Sequence, residues 1–363
     1  MLIARDESGA DRLALLITGV GAPGTRGTIY ALRQNCERRP VRIIGVDVKP
    51  EIAGRYLVES FYTVPNPECP AYIDELASIC AREGVEIILP QTSREVNVLS
   101  KYKHILAQKG VGTMVSDWPA IEIANNKWRL MQNFEKLGLP IPAYFLARSE
   151  RELTDAAVAL GYPGQPVVVK PPLSNGMRGV RILKEEAWSV ERFLTEKPSG
   201  FEICLNDLLK ILRRGEAWPE LLVTEYLPGP EYSVDAFVGT DTQVAIPRLR
   251  RSIRSGITFE SELDFREDLR AYTIRAARHI GLRYAIGFQF KVDRVGVPKL
   301  LECNPRIQGT MVASVFSGAN VIWLAVRELR GDCPRDAPIH VKQGLFLRFW
   351  GGIGISGGYC EEI

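Results

Sequence analysis

The sequence predicts a two-part protein, α/β then α+β: a Rossmann-like parallel-sheet domain first, antiparallel sheets after it. Three observations predict this. Up to about residue 118, apolar runs alternate with amphipathic stretches of helical length, the pattern of a parallel sheet with helices on both faces. From Leu221 onward, apolar runs succeed one another across short turns, which favours antiparallel pairing. With 363 residues, 46% of them apolar, the chain is long enough to bury more than one core.

The elements are predicted in order. LALLITGVG is a strand ending in glycines, a helix-compatible stretch runs from Gly27 to Glu37, and VRIIGVD is the second strand. An amphipathic stretch from Tyr72 to Arg82 leads to a third strand, VEIILPQT, and Gly112 to Ser116 forms a short fourth. A second unit opens near Asp117-Trp118-Pro119 with a helix running to Leu137, stopped by Gly138 with Pro140 and Pro142 beyond it. YFLAR, a helix from Ser149 to Leu160 and the strand PVVVK come next, and Val167 to Val180 reads as strand, glycine-rich loop, strand. Trp188 to Gly215 reads as helical. LLVTEY, EYSVDAFV, QVAIPRLR, YAIGFQFKV and PKLLECN are successive strands, interrupted by one helix from Glu262 to Ile280.

Composition narrows the function. Lys and Arg number 46 against 43 Asp and Glu, a net charge of +3, too small for a surface built to hold nucleic acid without specificity. Apolar runs stop short of the roughly 18–20 residues that span a bilayer, so no membrane partner is expected. The start, MLIARDESGADR, lacks the apolar stretch of a secretory signal. Seven cysteines (Cys36, Cys69, Cys80, Cys204, Cys303, Cys333, Cys360) are scattered and never spaced CxxC, which fits a reducing cytoplasm. His104, His279 and His340 are the only histidines, so histidine-driven hydrolysis is not expected.

Gly19, Gly21 and Gly24 spell GxGxxG between a strand and a helix, and Asp47 ends the next strand. This is the dinucleotide fingerprint, and by itself it predicts an NAD-dependent oxidoreductase. The other reading is a tight strand–helix turn. Pro23 removes one backbone donor from the loop, and the polar residues suited to chemistry lie mostly after residue 120.

Four later segments carry that chemistry. Ile123, Lys127, Leu130, Phe134 and Leu137 recur at spacings of three and four, placing Lys127 on an inward helix face, as a cleft lysine or one snorkelling to the rim. Lys170 ends a short strand, and Ser174-Asn175-Gly176-Met177-Arg178-Gly179 offers backbone donors and a cation, a combination suited to polyphosphate or else an ordinary hairpin. It is not the GxxxxGK[ST] loop. In LLVTEYLPGPEYSVDAF a strand ends at Glu225, a Pro-Gly-Pro turn follows, and Glu231, Ser233 and Asp235 then alternate with Tyr232, Val234 and Ala236. That is either a hinge reading a purine edge or an edge hairpin with a solvated face. Finally, a two-residue turn at Val295-Gly296 sets Gln289 opposite Glu302, with Asn304 on the same face and Phe288, Phe290, Leu301 and Cys303 on the other. Oxygen donors of modest charge suit magnesium, although a polar sheet face would look the same. Arg306 could reach a phosphoryl group in transfer.

Taken together, NNKWRL, VVVKPPLSNGMRGV, EYLPGPEYSVD and GFQFKVD…LLECNPR, in that order, resemble the ATP-grasp superfamily, specifically its carbamoyl-phosphate-synthase-like carboxylate–amine ligases. The resemblance runs from LLITGVG to about Gly331. It implies a pre-ATP-grasp domain at residues 1–118, a small lobe with the glycine-rich loop at 119–190, a C-terminal lobe at 191–335, and an extension of unknown role at 336–363. It also implies ATP and Mg2+ as cofactors, with two ions and Mn2+ as a substitute. Lys127 and Lys170 would contact phosphates under a loop of Ser174, Gly176, Arg178 and Gly179. Glu225 with the backbone of Tyr226 and Leu227 would hold adenine, and Glu231 the ribose. Gln289, Glu302 and Asn304 would hold the metal, Glu302 bridging both ions, while Arg306 would work with Glu302 and Asn304 in catalysis.

The run Arg248, Arg250, Arg251 and Arg254 reads as a solvated strand face or, by the resemblance, as contacts to phosphate or acid. Gly19 and Gly21 would border the acceptor. The implied partners are a small-molecule carboxylate and an amine, with a second copy as a homodimer partner, since relatives are often dimers. Two departures stand out. Gln289 sits where many members carry an acid, though the carbamoyl phosphate synthase pattern has glutamine there, and one module is present where that synthase uses two. GLFLRFWGGIGISGGYC has no counterpart in the pattern. A non-catalytic ATP-binding protein is the remaining alternative, disfavoured by the intact Glu302–Asn304–Arg306 set.

Overall fold

The computed structural model describes residues 12–174, 176–185, 189–196, 200–335, 341–349, 351–356 and 359–362. Asn175, Trp188 and His340 lie outside the described residues.

The first unit is a five-stranded parallel sheet. Its elements are β1 (Leu13–Thr18), α1 (Thr25–Arg33), β2 (Val41–Asp47), β3 (Ser60–Thr63), α2 (Tyr72–Glu83), β4 (Ile87–Pro90), α3 (Ser93–Ala107) and β5 (Gly112–Thr113). Strand order is β3-β2-β1-β4-β5, so the direction of winding reverses between β1 and β4. A ligand crevice opens at such a reversal, beyond the carboxyl ends of the strands. The sequence reading missed β3, whose SFYT is short and only half-buried. Helix α1 stops at Arg33, short of Glu37, because the Asn35 amide captures the Leu32 carbonyl at 2.9 Å and accepts the Arg39 N–H at 2.8 Å.

The expected helix up to Leu137 is two helices, α4 (Trp118–Asn125) and α5 (Lys127–Lys136). Asn126 divides them. It is extended (φ −101°, ψ 107°), and its side chain accepts the Arg129 N–H at 3.1 Å as the cap of α5. Ile123 therefore does not share a helix face with Lys127. The stretch after Trp188 is likewise not one helix.

After α5 come β6 (Tyr144–Ala147), α6 (Glu150–Ala159), β7 (Val167–Lys170), β8 (Arg181–Leu183), α7 (Val190–Thr195), β9 (Glu202–Ile203), α8 (Leu205–Leu212) and β10 (Leu221–Glu225). Gly200, at φ +70°, turns the chain away from a helical path between α7 and β9. β10 does not open the antiparallel series. It lies between β6 and β7 in a sheet of order β6-β10-β7-β8-β9.

The third sheet has the order β15-β14-β11-β12-β13-β16 and is antiparallel, built from β11 (Glu231–Val238), β12 (Gln243–Arg254), β13 (Ile257–Leu263), β14 (Tyr284–Val292), β15 (Pro298–Asn304) and β16 (Leu345–Leu347). Helix α9 (Glu267–Ile280) begins after β13, not at Glu262, because Phe259, Ser261 and Leu263 are buried at a period of two. The short α10 (Val312–Phe316) and α11 (Val321–Arg330) follow β15, and β17 (Ile353–Ser356) pairs with β18 (Tyr359–Glu362). Leu13, Ile17 and Leu32 share one core cluster with Phe237, Trp323 and Val326, so the parallel sheet is anchored directly to the antiparallel one. No described helix is long and apolar enough to cross a membrane.

The β14–β15 hairpin realises the expected pairing by a different route. Its loop has three residues, closed by Asp293 N–H to the Val297 carbonyl at 2.9 Å, with Gly296 at φ +91°. That alone would shift the register by one. A bulge at Leu301 shifts it back, so Gln289 does face Glu302. Leu300, not Leu301, is therefore the core residue, paired with Phe290 and fully buried.

Candidate functional site

The sheet–helix junctions bring two lysines together. Lys127 is the first residue of α5, and its backbone N–H donates to the Pro172 carbonyl at 3.0 Å, tying the helix start to the loop after β7. Its ammonium donates to the Ser174 carbonyl at 2.9 Å and stands 3.4 Å from the Glu302 carboxylate. Lys170, at the end of β7, is buried. Burial first, and then repulsion from Lys127, brings its pKa down to about 8, against the opposing pull of Glu302 and Glu231. Two cations held close without a full set of counter-charges are suited to a polyanion.

Among the described residues of the loop after Lys170, Gly176, Met177 and Gly179 are left-handed. Gly179 has no alternative, since a Cβ there would lie 2.7 Å from the Pro171 ring. Gly256, at the β12–β13 turn, packs so closely that an added Cβ would meet the Met177 side chain at 3.0 Å. The loop therefore reaches across to the antiparallel sheet.

On that sheet, Asn304 Nδ2 donates to Glu302 at 3.3 Å, and Asn304 Oδ1 accepts from Arg306 Nη2 at 3.2 Å. Arg306 Nη1 donates to the Ile307 carbonyl at 2.9 Å, and Nε to Ser93 Oγ at 3.3 Å, at the start of α3. Burial lowers the Arg306 pKa, opposed by Glu302 and Glu95. This chain links the antiparallel sheet to the β1/β4 crevice. Sequence reasoning missed its far end, although Thr92-Ser93-Arg94-Glu95 spells a capping box, and one forms. Glu95 is buried, and desolvation pushes its carboxyl up to about 7, opposed by hydrogen bonds from Thr18 and Thr92.

Gln289, Glu302 and Asn304 present one carboxylate and two amide oxygens on adjacent strands. That set fits magnesium, which retains waters and shares phosphate oxygens. Among the described residues no cluster of three or more His, Cys, Asp or Glu could hold an ion on its own. Nucleotide phosphate oxygens would have to complete the shell.

The hinge residues sit at the end of β10. Glu225 accepts the Ala143 N–H at 3.0 Å and pairs with Lys299, Leu227 is buried, and Lys291 lies over the Tyr226 ring at 5.6 Å. Glu231 pairs with Arg250, which also donates to Thr258 and to the Gly256 carbonyl, each at 2.7 Å.

The arginine run is not one solvated face. Arg248 is fully buried, bound to Asp235 at 2.7 and 2.8 Å and to the hydroxyls of Ser261 and Thr310, and therefore has no free edge for a substrate. Arg251 pairs with Glu262 at the surface, and Arg254 lies over the Phe259 ring.

The glycine fingerprint has a packing explanation. Asp47 accepts the Gly21 N–H at 2.9 Å and so closes the loop on itself. A Cβ on Gly24 would stand 2.6 Å from the Gly309 Cα, three residues beyond Arg306. A Cβ on Gly19 would meet Glu95 at 2.8 Å.

The family described as ATP-grasp in the biosynthetic pathway with Ter operon matches residues 217–350, and the PylC-like N-terminal domain matches residues 15–115. Residues 217–350 thus match an ATP-grasp family model, and the chain has the ATP-grasp fold. It is similar to the 2-oxoglutarate carboxylase small subunit of Hydrogenobacter thermophilus, 21% identical over 82% of this chain and 63% of that one. It is also similar to the carbamoyl phosphate synthase large chain of Rubrobacter xylanophilus, 26% identical over 76% of this chain and 25% of that one. The chain thus spans under two thirds of the first relative's length and about a quarter of the second's.

Among solved structures, an ADP complex of the N5-carboxyaminoimidazole ribonucleotide synthetase purK superposes with a TM-score of 0.68, at 16% identity, over 92% of this chain and 80% of that one. The biotin carboxylase domain dimer of Hydrogenobacter thermophilus 2-oxoglutarate carboxylase, with MgADP, ADP and bicarbonate, superposes at 0.67, with 17% identity over 92% and 73%. The first family match also covers GLFLRFW, the C-terminal run that had no counterpart in the sequence pattern.

Proposed function

We propose that the protein is an ATP-dependent ligase that joins a carboxylate to an amine through an acyl phosphate, releasing ADP and phosphate. The observation that carries this is the convergence of Lys127 and Lys170 on Glu302, Asn304 and Arg306. Similarity to ligases and carboxylases of this superfamily supports it.

In this reading the acid oxygen attacks the γ-phosphorus as the bond to the ADP oxygen breaks. The amine nitrogen then attacks the acyl carbon, and phosphate leaves. Lys127 and Lys170 donate N–H bonds to phosphate oxygens, so Lys170 must keep its proton to act. Arg306, held by Asn304 and Ser93, offers N–H groups to charge spreading over the transferred phosphoryl. Magnesium, on Gln289, Glu302 and Asn304, would neutralise phosphate charge when bound, with Glu302 best placed to bridge two ions.

The loop containing Ser174, Gly176, Arg178 and Gly179 covers the phosphates and keeps water from the acyl phosphate. Adenine rests on Glu225 and the Tyr226–Leu227 backbone, and ribose on Glu231. Residues 119–190 and 191–335 supply the nucleotide lobes, 1–118 the acceptor wall with Gly19 and Gly21, and 336–363 an extension. A homodimer in the cytoplasm fits this reading.

The test is ADP release across a panel of acids and amines, with products weighed by mass spectrometry. ADP release that depends on both an acid and an amine is expected. MgATP should also raise the melting temperature while NADH does not; a saturable NADH shift with none from MgATP would revive the oxidoreductase.

A further inference from the structure

A cavity of about 860 Å3 lies where the parallel sheet meets the antiparallel one. Three remote stretches wall it: the glycine loop and α1 from Val20 to Tyr30, the helical turn Ala53–Leu57, and Gly309 to Phe316. Leu345 to Phe349 and Gly351 to Ile353, near the C-terminus, supply the fourth wall. This is the segment to which no motif assigns a role. It is held there by the ladder: β16 pairs with β13, and the Arg348 N–H donates to the Phe259 carbonyl at 2.7 Å.

Three features of the cavity define its ligand. Its volume falls in the ~300–1,000 Å3 range of organic-ligand pockets, far more than a bicarbonate or acetate would fill. Its walls are apolar, from Val20, Leu57, Phe259, Val312 and the stacked pair Tyr30–Phe316, whose ring centroids are 4.9 Å apart. Its charged lining residues are both cations, Arg26 and Arg348, with no carboxylate among the described ones. Arg348 donates Nη2 to the Gly309 carbonyl at 2.9 Å, which fixes its guanidinium on the cavity wall. Burial also lowers the Arg348 pKa, the direction a nearby anion would reverse. Among the described lining residues an amine cation would meet no carboxylate.

We propose that the acid substrate is an aryl or long-chain alkyl carboxylate, its apolar body lodged in this cavity and its negative charge drawn by Arg348 and Arg26. This inference rests on the ligase reading for the word substrate, but the binding it requires does not. Gly309, on the cavity wall, is three residues past Arg306, so one short chain segment carries both.

The experiment is isothermal titration calorimetry of the full chain with 4-phenylbutyrate, 4-phenylbutylamine and acetate, with and without MgADP. Saturable binding of 4-phenylbutyrate is expected, at least about tenfold tighter than that of the amine or acetate. Ala53→Trp at the exposed rim and Arg348→Gln should each weaken it by about tenfold, with melting temperatures near wild type. Equal binding of amine and carboxylate, no binding of 4-phenylbutyrate, or unchanged binding in Ala53→Trp overturns the inference. The two failures separate cleanly. ADP release sustained by acetate or bicarbonate, with 4-phenylbutyrate neither bound nor competing, removes the cavity inference and keeps the ligase. Binding of 4-phenylbutyrate without ADP release under any acid–amine pair keeps the cavity and removes the ligase.

Discussion

Lys127 reaches to 3.4 Å from Glu302 from the first residue of a helix that exists because Asn126 breaks the preceding one. The break aims the ammonium at Ser174 and Glu302; a continuous helix would have aimed it elsewhere. Glu302 is thus the counter-charge of Lys127 and lifts the pKa of Lys170. Removing its charge should disturb metal and lysines together.

Glu302→Gln changes charge with almost no change in volume. The fold should survive, because no cavity forms, but the melting temperature should fall, because buried Lys127 and Lys170 lose a counter-charge. Magnesium-dependent ADP release should fall by on the order of a hundredfold or more. Wild-type turnover in this variant would remove the metal assignment. Gln289→Ala should be milder, since a neutral amide holds a divalent cation less strongly than a carboxylate does.

In the proposed ligase Lys170 would bind phosphate only while protonated, and its pKa is about 8 instead of the usual 10.5. MgATP affinity should decline as the pH rises through 8. Stability runs the other way: between these two values the unfolded chain holds the proton and the native state does not, so stability rises with pH. Lys170→Met should raise the ligand-free melting temperature at pH 7 and abolish the MgATP shift. Differential scanning fluorimetry with and without MgATP reads both.

Glu95 has its carboxyl raised to about 7 from 4.5. Across that window the native state holds the proton and the unfolded chain has lost it, so stability should fall as pH rises from 4.5 through 7 and level off above. Glu95→Gln keeps an oxygen for the Thr92 N–H and has no proton to lose. Urea melts from pH 5 to 8 should show the decline in wild type, on the order of a few kcal/mol, and not in the variant.

Gly24 meets Gly309 backbone to backbone. Gly24→Val should cost about 1–3 kcal/mol by overpacking, measured by urea unfolding. An unchanged midpoint would mean that the third fingerprint glycine is not there for packing.

Arg248 and Asp235 are both fully buried and bound at 2.7 Å. Arg248→Met leaves a carboxylate unpaired in the core and should cost about 3–5 kcal/mol. Adding Asp235→Leu should recover a good part of it, because the uncompensated charge is then gone. No recovery would place the cost in packing instead.

Local sequence determined much of this protein. The alternation of apolar runs marks the parallel sheet, and the capping box Thr92–Glu95 can be read directly from the letters. Gln289 opposite Glu302 was legible too, though through a two-residue turn that does not form; a three-residue loop and the Leu301 bulge cancel to the same register. Pattern reasoning counts residues, and a bulge adds one where no letter announces it. The ATP-grasp resemblance was legible because its four segments hold their order along the chain.

Contacts between distant segments decided the rest. Asp47 and Gly24 spell a dinucleotide fingerprint, yet Asp47 binds Gly21 and Gly24 abuts Gly309, a partner 285 positions away. Arg248 reads as one more exposed cation until Asp235, Ser261 and Thr310 enclose it. Leu345 to Phe349 carry no signal of their own and become a cavity wall only when β16 pairs with β13. The physical reason is common to all three: spacing along the chain sets which face a side chain occupies, but burial and charge pairing depend on what the fold brings to that face.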